Sequence, residues 1–157
     1  MKNFIKFYNS IFLIGNIKKF PGTFASGFSI LILFPFFYFE LFNFFIILTL
    51  FVTFFLFSLY SINFYSEITK THDSKEIVID EFLGVYFIFL FYEKIYIIDH
   101  YITIFLIFIL FRFFDITKIY PANIVDRNIK NSLGVILDDI IAAIYTITTM
   151  YLLNVFI

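Results

Sequence analysis

From Phe44 to Tyr65 the chain runs without a single charged residue. A helix of that length crosses the roughly 30 Å hydrocarbon layer of a bilayer at a rise of about 1.5 Å per residue. In water such a helix must be covered on every side, whereas lipid covers it at no cost. The remaining apolar stretches repeat the theme. Phe24–Phe42 is a second candidate span, with Pro35 as a kink, and Leu133–Ile157 is the last, carrying Asp138 and Asp139 one to two turns in. Phe82–Ile98 and Tyr101–Phe114 are each short against the roughly 20 residues a span needs. Glu93-Lys94 interrupts the first, and Asp99-His100 separates the pair. They read as two tight spans or as one re-entrant hairpin.

Of the 157 residues, 62% are hydrophobic, where a soluble domain holds about 45–50%. The expected fold class is therefore all-α: a compact membrane-embedded multi-helix bundle of about four to five apolar helices. An interfacial helix is expected in residues 1–20, where Phe4, Phe7, Ile11 and Ile14 fall on one stripe. Residues 1–157 form one domain without an internal repeat. Lys2 and Lys6 precede Phe7–Ile14, an apolar run too short for a cleavable secretory leader.

Composition closes several routes. The net charge of −1 implies no nucleic-acid partner. The absence of cysteine removes disulfides, thiolate metal sites and cysteine nucleophiles. His72 and His100 are isolated and carry no expected catalytic role.

The charges are one-sided. If residues 1–23, 66–81 and 112–133 share a membrane face, that face holds every basic residue but Lys94. The positive-inside rule puts it in the cytoplasm. Nearly all the acids lie there too, with Glu40, Glu93 and Asp99 opposite. A transporter more often places charge near mid-membrane.

Four clusters on that face carry candidate chemistry. Lys18-Lys19-Phe20-Pro21-Gly22-Thr23 is a turn in which Thr23 caps a helix from Phe24, and its N–H groups suit a phosphate. Taken alone, a plain turn and cap is the more economical explanation. Asp80-Glu81 opens an apolar helix, as metal ligands or as acids complementing the dipole. Gly84, one turn on, leaves room for a metal-bound oxygen or a facing helix. Arg112, Asp115 and Lys118, three apart, make one polar stripe: a metal ligand between phosphate clamps, or snorkelling anchors with a local ion pair. Asp126-Arg127 adds a further clamp. Asp138-Asp139 lies inside an apolar helix, where an ionised carboxylate without a partner is costly. The candidate catalytic acids are therefore Asp80, Glu81, Asp115, Asp138 and Asp139. Those expected to hold metal are Asp80, Asp115, Asp138 and Asp139. Lys19, Thr23, Arg112, Lys118 and Arg127 are the candidate substrate-binding residues. Hard oxygen ligands without His or Cys suit Mg²⁺. A Mg²⁺ cage beside cations at a membrane surface fits phosphoryl chemistry on a lipid headgroup.

The ordered motifs Pro21–Thr23, Asp73–Gly84, Phe111–Lys118 and Gly134–Ala142 closely resemble phosphatidylglycerophosphatase A. The resemblance runs from about Gly15 to Tyr145. It implies a Mg²⁺-dependent phosphatase of the bacterial inner membrane, in phospholipid biosynthesis, removing the terminal phosphate of phosphatidylglycerol phosphate. It implies a compact helical bundle, with Asp80, Glu81, Asp115, Asp138 and Asp139 as metal and catalytic acids, and Arg112, Lys118 and Arg127 on phosphates. The chain departs from the family pattern at Ile119-Tyr120, Asn131-Ser132 and Ala143, none a charged motif residue. Water attack and an aspartyl-phosphate intermediate both fit. A phosphatidyl-group transferase and a small ion-transporting or accessory membrane protein are the rival readings. The transferases resemble an Asp-Gly-x-x-Ala-Arg pattern that the chain lacks.

Overall fold

The computed structural model describes residues 2–71 and 74–156. His72 and Asp73, the latter opening the second motif, lie outside the described residues. The elements are α1 (Lys2–Asn9), a 3-10 turn (Ile14–Asn16), α2 (Pro21–Tyr38), α3 (Phe44–Thr69), α4 (Ile79–Phe89), α5 (Tyr92–Ile95), α6 (His100–Thr117), α7 (Ala122–Asn128) and α8 (Ser132–Phe156). No strand occurs among the described residues. Helices α2, α3, α6 and α8 are long and apolar enough to cross a membrane.

Their surfaces follow the logic of lipid solvation. Leu31, Phe45, Tyr101 and Phe105 point outward. Inward positions carry small residues: Ala25, Ser26 and Ser29 on α2, Ser58 and Ser61 on α3, and Ala142, Ala143 and Thr146 on α8. Small side chains let helix backbones approach where no hydrophobic force drives them together. The α2 hydroxyls are satisfied within the helix, Ser26 Oγ by the Gly22 carbonyl and Ser29 Oγ by the Ala25 carbonyl, both at 2.7 Å.

Helix α4 is the exception that organises the rest. Its eleven residues are too few for a span. Leu83, Val85, Ile88 and Phe89 are fully buried, and the helix packs against α2, α3 and α8. An apolar helix covered all round is a core helix. The two short stretches therefore resolve into a buried central helix, the short α5 and one full-length helix, α6. Gly84 makes the packing possible. A Cβ there would sit 2.7 Å from the Phe111 ring and 3.2 Å from the Asp139 carbonyl oxygen. Facing helices, not a metal-bound oxygen, occupy the room it leaves.

Three local expectations are corrected. The N-terminal helix ends at Asn9, because Ile11, Phe12 and Leu13 all take positive φ, a conformation that halts a right-handed helix. The stripe is broken with it: Ile11 is buried while Phe4 and Phe7 are exposed. Helix α2 starts at Pro21, not Phe24, with Phe20 at the cap in left-handed conformation. Proline is pre-set for the first helical position, so Thr23 lies inside the first turn and caps nothing. Helix α2 contains Pro35 and ends at Tyr38, short of the expected Phe42.

The chain enters α2 and α8 and leaves α3 and α6 at one end of the bundle, so residues 18–22, 75–81, 115–118 and 126–139 meet there. Asn9 fastens the N-terminal segment to this end. It is buried, exchanges hydrogen bonds with Ser61 (Asn9 Nδ2 to the Ser61 carbonyl, 3.1 Å; Ser61 Oγ to Asn9 Oδ1, 2.6 Å), and its carbonyl accepts from the Val78 N–H at 2.9 Å. Val78 directly precedes α4.

Candidate active site

A cavity of about 720 Å³ opens at this charged end. Asp80 and Glu81 reach it from the first turn of α4, where the helix dipole favours acids. Asp139 reaches it from the second turn of α8 and is almost fully buried. One carboxylate oxygen from each of Asp80, Glu81 and Asp139 lies within 4.8 Å of the others. Three hard, anionic oxygens at that spacing fit a divalent cation such as Mg²⁺. They repel one another when nothing lies between them. Burial pushes the Glu81 carboxyl up to about 7; the Asp80 hydrogen bond and Arg112 oppose this, and the Asp115 charge adds to it.

Asp115 and Asp138 are engaged differently. Arg112 Nη1 stands 2.6 Å from Asp115 Oδ2, one turn along α6. The same nitrogen lies 3.8 Å from Glu81 Oε1 and donates to Ser26 Oγ at 3.3 Å. Its Nε is buried without a hydrogen-bond partner. Lys118, in left-handed conformation at the end of α6, donates from Nζ to Asp126 Oδ1 at 2.6 Å and to Asp138 Oδ2 at 2.7 Å. Burial alone lowers the pKa of the Lys118 ammonium, but the bonds to Asp126 and Asp138 outweigh it and raise the value.

The backbone around the site is tightly fitted. A Cβ on Gly22 would overlap Glu81 Oε1 and come within 3.1 Å of Arg112 Nη1. Glycine here lets the start of α2 close over that ion pair. A Cβ on Gly134 would overlap the Ile129 carbonyl oxygen. The Gly134 N–H instead donates to Asn131 Oδ1 at 3.1 Å, fixing the entry to α8. Tyr145 Oη donates to the Tyr120 carbonyl at 2.5 Å and anchors the connection after α6.

The structure therefore brings all five candidate acids to one cavity, with Asp115 and Asp138 in ion pairs and Glu81 in the group able to hold a cation. Of the candidate substrate-binding residues, Lys118 lines the cavity and Arg112 stands behind Glu81 and Asp115. Lys19, Thr23 and Arg127 do not line it; Lys18, Lys75 and Lys130 do. Sequence offers no signal separating Lys18 from Lys19, since only the direction of the Phe20 cap decides which side chain turns inward. His100 lies at the other end of the bundle, with Nδ1 2.8 Å from Tyr92 Oη.

The family model for Phosphatidylglycerophosphatase A matches residues 7–154. An 80-residue stretch is 35% identical to Phosphatidylglycerophosphatase A of Haemophilus influenzae, covering 51% of this chain and 47% of that protein. The matched stretch thus spans about half the length of that curated relative. No solved structure matches the chain. A family match over nearly the whole length, on a helical bundle whose matched motifs meet at one carboxylate-lined cavity, assigns the chain to the phosphatidylglycerophosphatase A family.

Proposed function

We propose that the chain is a Mg²⁺-dependent lipid phosphatase that hydrolyses phosphatidylglycerol phosphate to phosphatidylglycerol and phosphate, in phospholipid biosynthesis. The observation that carries the reading is the grouping of Asp80, Glu81 and Asp139 within 4.8 Å beside Lys118, at one end of four apolar helices. The family and the relative's name support the substrate. The one-sided basic residues support a multi-pass protein of the bacterial inner membrane with its active site facing the cytoplasm.

Asp80, Glu81 and Asp139 would hold the ion. When bound, it supplies Lewis acidity and charge neutralisation at the phosphomonoester. Asp138 adjoins that group in sequence, lines the same cavity and is fixed by Lys118. It is therefore placed to take the proton of the attacking water. Lys118, at the cavity wall, offsets charge on the transferring phosphoryl group, where most catalysis of this reaction resides, while Arg112 holds Glu81 and Asp115 from behind. The acyl chains remain in the bilayer against the outward-facing phenylalanines.

The test is phosphate release from phosphatidylglycerol phosphate by purified protein in detergent, with Mg²⁺ and then with EDTA. Mg²⁺-dependent release, lost in Asp139→Asn, is the expected result. Well-folded protein that releases no phosphate would refute the assignment.

A further inference from the structure

The floor of the cavity has a charge problem. Six carboxylates, from Asp80, Glu81, Asp115, Asp126, Asp138 and Asp139, stand against two cations, Arg112 and Lys118. The formal excess is about four negative charges, of which one divalent cation removes half. An anionic lipid approaching this floor alone still meets repulsion.

Countercharge lies at the mouth. Lys18, Lys75 and Lys130 line the same cavity and are exposed. They come from three separate connections: before α2, between α3 and α4, and between α7 and α8. None is ion-paired with an acid among the described residues, whereas Lys118 is held between two. Cations converging from three loops on one opening raise the local concentration of anions there.

We propose that Lys18, Lys75 and Lys130 form a second anion subsite that takes a phosphodiester. This inference rests on the lipid-phosphatase reading. In a lipid with a terminal phosphomonoester and an inner phosphodiester, the acyl chains stay in the apolar layer. The terminal phosphate is the group released, so it must reach the carboxylates that would hold the ion, and the inner diester is left to the unpaired lysines that line the same cavity. Floor and mouth divide the two phosphates, and the mouth sets specificity for a lipid carrying both.

The experiment compares phosphatidylglycerol phosphate with phosphatidic acid, which has a phosphomonoester and no diester, in non-ionic micelles where the substrate is the only lipid anion. Each Lys→Gln change at these positions raises KM for phosphatidylglycerol phosphate about two- to fivefold. The triple variant K18Q/K75Q/K130Q raises it about tenfold or more, with kcat little changed. KM for phosphatidic acid moves by less than about twofold, and Lys94→Gln, at the far end of the bundle, moves neither. Equal rises for both lipids overturn the subsite, as does a rise confined to vesicles of anionic lipid, which would place the lysines on bulk headgroups. Active wild type with an unchanged KM in the triple variant overturns the inference and leaves the phosphatase reading standing. Wild type inactive on both lipids removes both.

Discussion

Lys118 Nζ stands 2.7 Å from Asp138 Oδ2, whereas Asp139, the next residue, turns to the Asp80–Glu81 group. Neighbours on a helix point about 100° apart, so one pair of acids serves two ends: Asp138 meets a lysine from α6, and Asp139 meets the start of α4. The two aspartates should therefore fail differently when neutralised. Asp139→Asn removes a ligand of the proposed cation. Its Mg²⁺ requirement shifts to at least about tenfold higher concentration, or activity is lost outright. Asp138→Asn abolishes phosphate release with Mg²⁺ affinity nearly retained. Mg²⁺ titrations of activity on Asp139→Asn, and of melting temperature on both variants, separate the cases.

Cation binding should also be visible without turnover. A ligand that binds only the folded state stabilises it by about 2.7 kcal/mol at a hundredfold excess over Kd. Mg²⁺ is expected to raise the melting temperature of the detergent-solubilised wild type, EDTA to reverse the rise, and Asp139→Asn to show none. A thermal-shift series checks this, and an equal rise in Asp139→Asn would place the ion elsewhere.

Gly22 and Gly84 should part company on the same substitution. Alanine at Gly22 strikes the Glu81 carboxylate, the mobile end of a side chain, so the backbone holds while the ion pair with Arg112 shifts. Gly22→Ala is expected to cost at least about tenfold in kcat with little change in melting, since a small misplacement in a site is amplified in rate. Alanine at Gly84 strikes the fully buried Phe111 ring and the Asp139 backbone. Gly84→Ala is expected to destabilise by about 1–3 kcal/mol, as overpacking does. Melting and kinetics measured on both variants distinguish the effects.

Asn9 predicts a stability effect at a residue that is not among the candidate site residues. Asn9→Ala removes two buried hydrogen bonds to Ser61, whose hydroxyl keeps only the Ser58 carbonyl at 3.2 Å, at a cost of about 1–3 kcal/mol. Asn9→Asp keeps the acceptor for Ser61 Oγ but loses the donor to the Ser61 carbonyl, and buries a charge. It is expected to be no better than alanine at neutral pH. Thermal unfolding of the two variants is the check.

Glu76 gives the acid side of the stability curve a definite sign. The Tyr65 hydroxyl and then Lys6 hold its carboxyl below the ordinary 4.5. A carboxyl depressed in the folded state contributes stability above its unfolded value, and that stability is lost as pH falls through the folded one. Melting temperature should therefore decline below about pH 4.5, and Glu76→Gln should flatten that decline. Parallel slopes in the two proteins would show that the link between α1 and the segment before α4 does not govern the acid limb.

The sequence by itself determined the broad architecture and the end at which chemistry gathers. Phe44–Tyr65 and its companions have the length and apolarity of spans whatever their neighbours, because a bilayer reads those properties locally. Most of the acids and basic residues between them are gathered at one face by connectivity alone, so Asp80, Glu81, Asp115, Asp138 and Asp139 were legible as one group. Tertiary structure decided the division of labour within that group. Whether a carboxylate faces a cation or another carboxylate depends on helix rotation and on packing such as that of Gly84 against Phe111 and Asp139. Tertiary structure likewise made Ile79–Phe89 a buried core helix rather than part of a span, because being covered by α2, α3 and α8 is a property of the neighbours. It also selected Lys18, Lys75 and Lys130 over Lys19 and Arg127 at the cavity, since long charged side chains in loops take their direction from backbone turns that charge patterning leaves unspecified.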